Sequence, residues 1–107
     1  MNHTAPGEVS VRDAHEAVTR GAGLLLDVRE PWEHQQQRIP GALFIPMGEI
    51  ISRAGEIPAD QDVYVYCKVG GRSARVVDYL RRQGMERTIN VSGGIDAWVE
   101  AGLPVER

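Results

Sequence analysis

The sequence has a single cysteine, no long hydrophobic run and no excess of positive charge. One cysteine excludes a disulfide within the chain and favours a reducing, cytoplasmic setting. Apolar runs such as Gly23 to Leu26 are far shorter than the roughly 20 residues that span a membrane. The formal net charge of −3 at pH 7 lacks the basic excess typical of nucleic-acid binders. We therefore expect neither a nucleic acid nor a membrane as a partner.

We expect no export signal, and no low-complexity segment is visible in the sequence. Its first seven residues contain neither a charged region nor an apolar core, so they predict a flexible polar tail rather than a secretory signal. A length of 107 residues predicts one domain, residues 1–107, with a single core. No second metal ligand stands at helical spacing from His15, and we expect no metal site and no cofactor.

Strand and helix patterns alternate along the whole chain. Apolar runs bounded by turn residues predict strands, and apolar residues three or four apart predict helices. The predicted strands cover residues 9–11, 24–28, 43–45, 63–66 and 88–91. The first predicted helix has Ser10 as its candidate N-cap and ends at Gly21, and the other predicted helices cover residues 30–34, 47–54, 74–82 and 95–101. This order predicts an α/β fold: a mostly parallel sheet of about five strands with helices on both faces.

The cysteine lies in the stretch Cys67-Lys68-Val69-Gly70-Gly71-Arg72-Ser73, between a predicted strand and a predicted helix. In an open α/β sheet, ligands bind beyond the carboxyl ends of the strands. Two glycines allow successive backbone N–H groups to turn inward and form an anion-binding nest above a helix N-terminus. The nest and the charges of Lys68 and Arg72 favour a thiolate, with a pKa below the ordinary value of about 8.5.

This stretch resembles the active-site loop of rhodanese-like sulfurtransferases. Four further segments resemble motifs of that family in the expected order, so that the resemblance extends from about Val9 to Val105. They are Asp27-Val28-Arg29 with Glu33, Ile39-Pro40-Gly41-Ala42, Gly93-Gly94-Ile95 with Trp98, and Gly102-Leu103-Pro104-Val105.

The resemblance implies a two-step covalent reaction with ping-pong kinetics. Cys67 would attack the outer sulfur of thiosulfate or a related donor and hold it as a persulfide. Cyanide in an assay, or a thiol in the cell, would then remove that sulfur. The resemblance also implies that the backbone N–H groups of the loop bind the persulfide. These belong to Lys68, Val69, Gly70, Gly71, Arg72 and Ser73, with Lys68 and Arg72 as substrate-facing cations. Arg72 has an alternative role, bracing the loop through its carbonyls.

Supporting roles are expected for Asp27, Arg29 and Glu33. Asp27 ends a predicted strand and would either anchor the catalytic loop or cap a turn. Arg29 and Glu33 are four residues apart, the spacing of an ion pair on a helix face. The two tryptophans, Trp32 and Trp98, are predicted to be packing residues.

The sequence departs from the family pattern at two places. Where relatives often have an aromatic residue after the glutamate, this chain has His34. Where they often have Gly-His before the Ile-Pro-Gly-Ala turn, it has Gln37-Arg38. Both departures bear on packing near that turn and on partner choice.

Two other functions remain open from the sequence. A cysteine phosphatase or arsenate reductase would resemble Cys-x5-Arg, whereas only four residues separate Cys67 from Arg72 and residue 73 is serine. A persulfide relay or binding module that serves a protein partner would show the same sequence as an enzyme. With no second cysteine, the acceptor thiol must be external: glutathione, thioredoxin or a dedicated protein.

Overall fold

Five parallel strands form one sheet in the computed structural model, which describes residues 7–107. The sheet order is β1-β5-β4-β2-β3, and the α/β prediction is confirmed. The predicted tail lies outside the described residues except for Gly7. In chain order the elements are β1 (Glu8–Val9), α1 (Val11–Thr19), β2 (Leu24–Asp27), α2 (Pro31–Gln36), β3 (Leu43–Phe44), α3 (Ile50–Arg53), β4 (Val63–Tyr66), α4 (Gly71–Arg82), β5 (Thr88–Val91) and α5 (Gly94–Glu100).

The centre of the sheet is the pair β2 and β4, in which Leu24 is opposite Val63 and Asp27 is opposite Tyr66. Both strands are apolar over almost their whole length because both faces of the sheet are covered. Since the strands are parallel, their carboxyl ends meet at the same edge. This register brings Asp27, at the end of β2, beside the loop that begins at Cys67.

The two faces of the sheet form two apolar clusters. Side chains alternate along a strand, so Tyr64 and Tyr66 face α1 and α5, whereas Val63 and Val65 face α4. Trp98 of α5 is buried in the first cluster, and its indole N–H donates to the Pro104 carbonyl at 2.8 Å. The prediction that Trp98 is a packing residue is confirmed.

The first strand is shorter than the sequence predicts. Ser10 has extended backbone angles, and its hydroxyl accepts a hydrogen bond from the Asp13 N–H at 3.1 Å. Ser10 is therefore the N-cap of α1, and Val11, predicted to lie in the strand, is the first helical residue.

The predicted helix over residues 47–54 is divided into three short pieces. A 3₁₀ turn at Met47–Glu49 precedes α3, and another at Ala54–Glu56 follows it. Glycines at positions 48 and 55 disfavour a longer α-helix, because glycine is among the poorest helix formers.

The longest helix between residues 7 and 107 is α4, with 12 residues. No helix in that range is long and apolar enough to cross a bilayer. Instead, α4 packs on the sheet through Val76, Val77 and Leu80. It begins at Gly71, so its first turn includes the last three residues of the Cys67–Ser73 loop.

Candidate active site

The sulfur of Cys67 accepts three hydrogen bonds from the loop that follows it. The donors are the Gly70 N–H at 3.1 Å, the Ser73 N–H at 3.3 Å and the Ser73 hydroxyl at 3.2 Å. The cysteine residue is only 1% exposed. Gly70 is the N-cap of α4 and Ser73 lies in its first turn, so the sulfur is at the positive end of the helix.

These hydrogen bonds make the Cys67 thiol more acidic. Burial raises the pKa of the thiol, but the hydrogen bonds from the Ser73 hydroxyl and from the N–H groups of Ser73 and Gly70 lower it, and the nearby Val69 N–H lowers it further. The net pKa is below that of an ordinary cysteine. The site therefore favours an anionic sulfur, and most of that preference comes from neutral donors in the loop.

The loop geometry requires glycine at position 70. Gly70 has a φ of +108°, a conformation that L side chains rarely adopt. A Cβ atom there would also lie 3.3 Å from the Gly93 nitrogen. This conformation directs the Gly70 N–H to the sulfur.

The N-terminus of α5 holds the other side of the loop. The Ile95 N–H donates to the Cys67 carbonyl at 2.9 Å, and the Asp96 N–H donates to the Lys68 carbonyl at 3.0 Å. Gly94 has a φ of +58°, and a Cβ atom there would overlap both of those carbonyl groups. The Gly93-Gly94 segment thus allows α5 to approach the backbone of the cysteine loop.

The two loop cations are paired with carboxylates. Lys68 Nζ lies 2.7 Å from an Asp96 oxygen, and Arg72 makes two hydrogen bonds to Glu33 at 2.7 and 3.0 Å. Pairing with Glu33 raises the pKa of Arg72, and the same pair lowers the pKa of Glu33. Within residues 7–107 the sulfur takes its hydrogen bonds from Gly70 and Ser73 rather than from these cations. Binding of a substrate by Lys68 and Arg72 stays a prediction.

Asp27 is the centre of a buried polar cluster beside the loop. Its carboxylate accepts hydrogen bonds from Arg29 Nε at 3.0 Å, from Arg29 Nη2 at 2.8 Å and from the Tyr66 hydroxyl at 3.1 Å. It also caps the turn by accepting the Arg29 N–H at 2.9 Å. Arg29 reaches helix α2 through the carbonyls of Glu33 and Gln37. The ion pair between Arg29 and Glu33 that their spacing suggested is not formed, because each has another charged partner.

His34 takes the place of the aromatic residue expected after Glu33. Its ring stacks on Phe44 with centroids 4.2 Å apart and planes 11° from parallel. Its Nδ1 lies 2.8 Å from Asp27 Oδ2. His34 thus supplies a flat ring for packing and adds a polar contact to the Asp27 cluster. At the second departure, Arg38 instead contacts the end of the chain, with its Nε 3.1 Å from a Glu106 oxygen.

A groove of about 130 Å³ runs beside the loop, between α2 and α5. We call it the Trp32 groove; its walls include Trp32, Gln36, Gln37, Lys68, Ile95 and Asp96. Trp32 is 62% exposed, so its prediction as a packing residue was wrong. On this six-residue helix Glu33 is the buried residue, and the adjacent position points about 100° away from it. Val69, in the cysteine loop, is 64% exposed.

A larger groove of about 600 Å³ follows α1 and is lined by Arg12, His15, Glu16, Thr19, Arg20 and Leu103. It includes no residue of the cysteine loop. From residue 7 to the last residue, no three His, Cys, Asp or Glu side chains are grouped as metal ligands.

Three residues of the site were not identified from the sequence. Tyr66 orients Asp27, Asp96 pairs with Lys68, and Asn90 Nδ2 donates to the Gly70 carbonyl at 3.3 Å. Tyr66 immediately precedes Cys67 and Asp96 lies two residues after Gly94, so their places beside these motifs could have identified both as residues of the site. Asn90 gave no such signal except that a polar residue interrupts an otherwise apolar strand.

Comparisons with known proteins agree with this geometry. The family model described as "Rhodanese-like domain" matches residues 10–101. A protein from Allochromatium vinosum named "Sulfurtransferase" is 49% identical over 82 residues, which cover 77% of each chain. The "Putative sulfur carrier protein YrkF" of Bacillus subtilis is 34% identical over 91% of this chain and 53% of its own length. Among solved structures, a rhodanese-related protein from Thermoplasma volcanium is 33% identical, with a TM-score of 0.86 over 92% of this chain and 96% of its own.

Proposed function

Because the chain belongs to the rhodanese-like domain family, we propose that it transfers sulfane sulfur through a persulfide on Cys67. Relatives named as a sulfurtransferase and as a putative sulfur carrier support sulfur transfer as the general activity. The observation that carries the proposal is the set of three hydrogen bonds to Cys67 Sγ, because these donors favour a thiolate in a buried site. A cytoplasmic, reducing setting is part of the proposal.

In the first step, the Cys67 thiolate attacks the outer sulfur of thiosulfate or a related donor. A bond forms between Sγ and that sulfur, and the sulfur–sulfur bond of the donor breaks. With thiosulfate, the electron pair of the broken bond leaves with sulfite. The product on the enzyme is a persulfide anion, and no proton is transferred in this step.

The loop suits the negative charge throughout this step. The N–H groups of Gly70 and Ser73 and the Ser73 hydroxyl now donate to the Cys67 sulfur. Charge moves to the terminal sulfur of the persulfide, for which the other backbone N–H groups of residues 68–73 are the proposed donors. A site that is already ordered needs little rearrangement as the charge moves.

In the second step, an external nucleophile attacks the terminal sulfur. A thiolate acceptor becomes a persulfide and cyanide becomes thiocyanate; in both cases the bonding electrons return to Cys67 as a thiolate. Cys67 is the only cysteine in the sequence, so no resolving thiol exists within the chain. The acceptor is therefore glutathione, thioredoxin or a dedicated protein.

Lys68 and Arg72 are proposed to bind the anionic donor. Both cations stand at the mouth of the loop, each held by one carboxylate. An incoming dianion competes with Asp96 for Lys68 and with Glu33 for Arg72. The Lys68 pair is the easier to displace because both of its side chains are about half exposed, and exposed pairs contribute little.

A second candidate function is a persulfide relay to one protein partner. The exposed side chains of Trp32 and Val69 favour it, since both follow the carboxyl ends of neighbouring strands at the mouth of the site. Exposed large apolar side chains are common in protein interfaces. A relay module would form the persulfide readily but transfer it slowly to small thiols.

A phosphatase or arsenate reductase fits the loop less well. Those reactions require a tetrahedral oxyanion to be enclosed by a loop of the form Cys-x5-Arg. Here position 73, where that pattern has arginine, is a buried serine whose hydroxyl donates to the cysteine sulfur. The shorter loop suits a single sulfur atom.

The decisive experiment is intact-mass spectrometry after incubation with thiosulfate. We expect an added mass of one sulfur atom that cyanide removes, and no adduct on Cys67→Ser. Absence of the adduct from the unaltered protein, with thiosulfate and with other sulfane donors, would refute the proposal. A panel of acceptors then separates the enzyme from the relay: rapid discharge by small thiols indicates the enzyme, and discharge by a protein thiol alone indicates the relay.

A further inference from the structure

A buried carboxamide connects the sheet to the cysteine loop. Asn90 lies on β5 and is 4% exposed. It is paired in register with Val65 of β4, so its side chain lies on the face of the sheet that α4 covers. Its Nδ2 donates to the Gly70 carbonyl at 3.3 Å and to Glu8 Oε1 at 3.2 Å. Neither Glu8 nor Asn90 has a role in the reaction described above.

The surroundings of Asn90 fix which way its amide points. Both groups within hydrogen-bond distance of Nδ2 are acceptors, a carbonyl and a carboxylate. The reversed amide would place Oδ1 against two oxygens, so the donor group must face them. Oδ1 meanwhile has no hydrogen-bond partner between residues 7 and 107. The side chain thus leaves one buried oxygen unpaired while its two N–H groups are used.

The hydrogen bond from Asn90 restricts the conformation of Gly70. Glycine can adopt many backbone conformations of similar energy, and Gly70 is held in one of them, at a φ of +108°. The Gly70 N–H points to Cys67 Sγ, and the Gly70 carbonyl accepts from Ala74 and from Asn90. Ala74 lies in α4, the helix whose N-cap is Gly70, whereas Asn90 lies in the sheet. Asn90 is therefore the contact that fixes Gly70 relative to the rigid core.

We propose that Asn90 is a positioning residue, which holds Gly70 in the conformation that directs its N–H to the Cys67 sulfur. Asn90 acts through Gly70 and does not touch the reacting atoms. Glu8, through the second N–H of the amide, keeps the carboxamide from turning away. The inference rests on the proposed function only for the choice of Cys67 as nucleophile.

The test is the rate of Cys67 alkylation by iodoacetamide as a function of pH, which requires no sulfur donor. For Asn90→Leu we expect a rate about threefold or more below that of the unaltered protein at pH values where the thiol is mostly protonated. The two rates should converge at high pH, where both thiols are ionised. Thr88→Val is the matched control: it removes a buried hydroxyl hydrogen bond from the same strand, to the Met85 carbonyl rather than to the loop. Its rate should equal that of the unaltered protein.

A folded Asn90→Leu variant that reacts at the unaltered rate would overturn the proposal, as would an equal slowing in Thr88→Val. If the leucine variant does not fold, NMR titration of the unaltered protein decides. The Asn90 side-chain amide and Gly70 N–H signals should shift together as Cys67 ionises and should stop doing so in Cys67→Ser. An Asn90 amide that ignores the titration would refute the coupling. A protein that passes these tests but forms no persulfide would refute the proposed function and leave this inference intact.

Discussion

Arg72 and Glu33 form a two-point ion pair that joins the cysteine loop to helix α2, with N–O distances of 2.7 and 3.0 Å. Glu33 is buried, whereas Arg72 is partly exposed at the mouth of the site. The pair therefore holds a partly exposed cation where an anionic donor would enter.

We predict that Arg72→Ala raises the KM for thiosulfate by about tenfold, because it removes a charged contact to the donor. It should also lower stability by about 1 kcal/mol, because the buried Glu33 carboxylate loses its partner. Steady-state kinetics and thermal unfolding measure the two effects. Arg82→Ala, which removes the same charge from the exposed face of the same helix, should change neither. An unchanged KM in Arg72→Ala would exclude Arg72 from donor binding.

Ser73→Ala removes the side-chain donor to the sulfur but leaves the backbone N–H in place. We expect the Cys67 pKa to rise, since the Ser73 hydroxyl is the strongest of the contributions that lower it. Loss of about 1 kcal/mol of thiolate stabilisation corresponds to about fivefold slower alkylation where the thiol is mostly protonated. The control is Ser52→Ala, an exposed serine whose hydroxyl donates to the Glu49 carbonyl, away from the cysteine loop. Equal rates for Ser73→Ala and the unaltered protein would show that the backbone donors suffice.

The lowered pKa of Cys67 predicts a pH dependence of both stability and activity. The thiolate stabilises the folded state fully above the ordinary pKa of the unfolded thiol, and this stabilisation is lost as pH falls through the lower folded-state pKa. Denaturant unfolding should therefore show a stability that rises with pH across that window, relative to Cys67→Ser. The rate of persulfide formation should rise over the lower part of the window. Parallel pH profiles for the two proteins would contradict the lowered pKa.

Gly94→Ala should disrupt the loop more than the backbone angle alone explains. A Cβ atom at Gly94 would overlap the Cys67 and Lys68 carbonyls. Gly102 has a similar left-handed φ of +77° and no atom within 4 Å of the added Cβ, so Gly102→Ala measures the backbone strain alone, about 1 kcal/mol. We expect Gly94→Ala to cost about 1–3 kcal/mol more than this control and to slow persulfide formation. Equal losses of stability for Gly94→Ala and Gly102→Ala in thermal unfolding would show that α5 shifts to accommodate the added Cβ atom without strain.

Trp32→Ala tests whether the Trp32 groove receives the acceptor. We predict normal loading of Cys67 by thiosulfate and slower discharge of the persulfide to a protein thiol such as thioredoxin, by about fivefold or more, because a large apolar contact is lost. Ile51→Ala is the control, since Ile51 is 74% exposed and lies outside the groove. Stopped-flow measurement of persulfide discharge from preloaded protein gives the rates for Trp32→Ala and for Ile51→Ala. Discharge unaffected by Trp32→Ala would place the acceptor elsewhere.

The parts of the fold that were predictable are those specified by local pattern. Strands β2, β4 and β5 are short apolar runs between turn residues, and the loop from Cys67 to Ser73 is defined by its own residues. The resemblance to the rhodanese-like family is confirmed by the match to residues 10–101. The role of Cys67 in sulfur transfer stays a prediction.

What could not be predicted depends on which side chains the fold brings together. Arg29 and Glu33 have helical spacing, yet Glu33 pairs with Arg72, 39 residues away in sequence, and Arg29 pairs with Asp27. Trp32 is a large aromatic residue of the kind that usually packs in a core, but it lies on the solvent-exposed side of a short helix. Asn90 looks like an ordinary polar residue within a strand until its distance to Gly70 is known.

The hydrogen bonds from α5 to the carbonyls of Cys67 and Lys68 make the loop depend on a part of the chain that is synthesised later. The chain leaves the ribosome from its N-terminus, so Cys67 emerges before Gly94, Ile95 and Asp96. Asn90, on β5, also emerges after the cysteine. Until β5 and α5 have been made and have docked, the loop lacks the contacts that they give to the carbonyls of Cys67, Lys68 and Gly70.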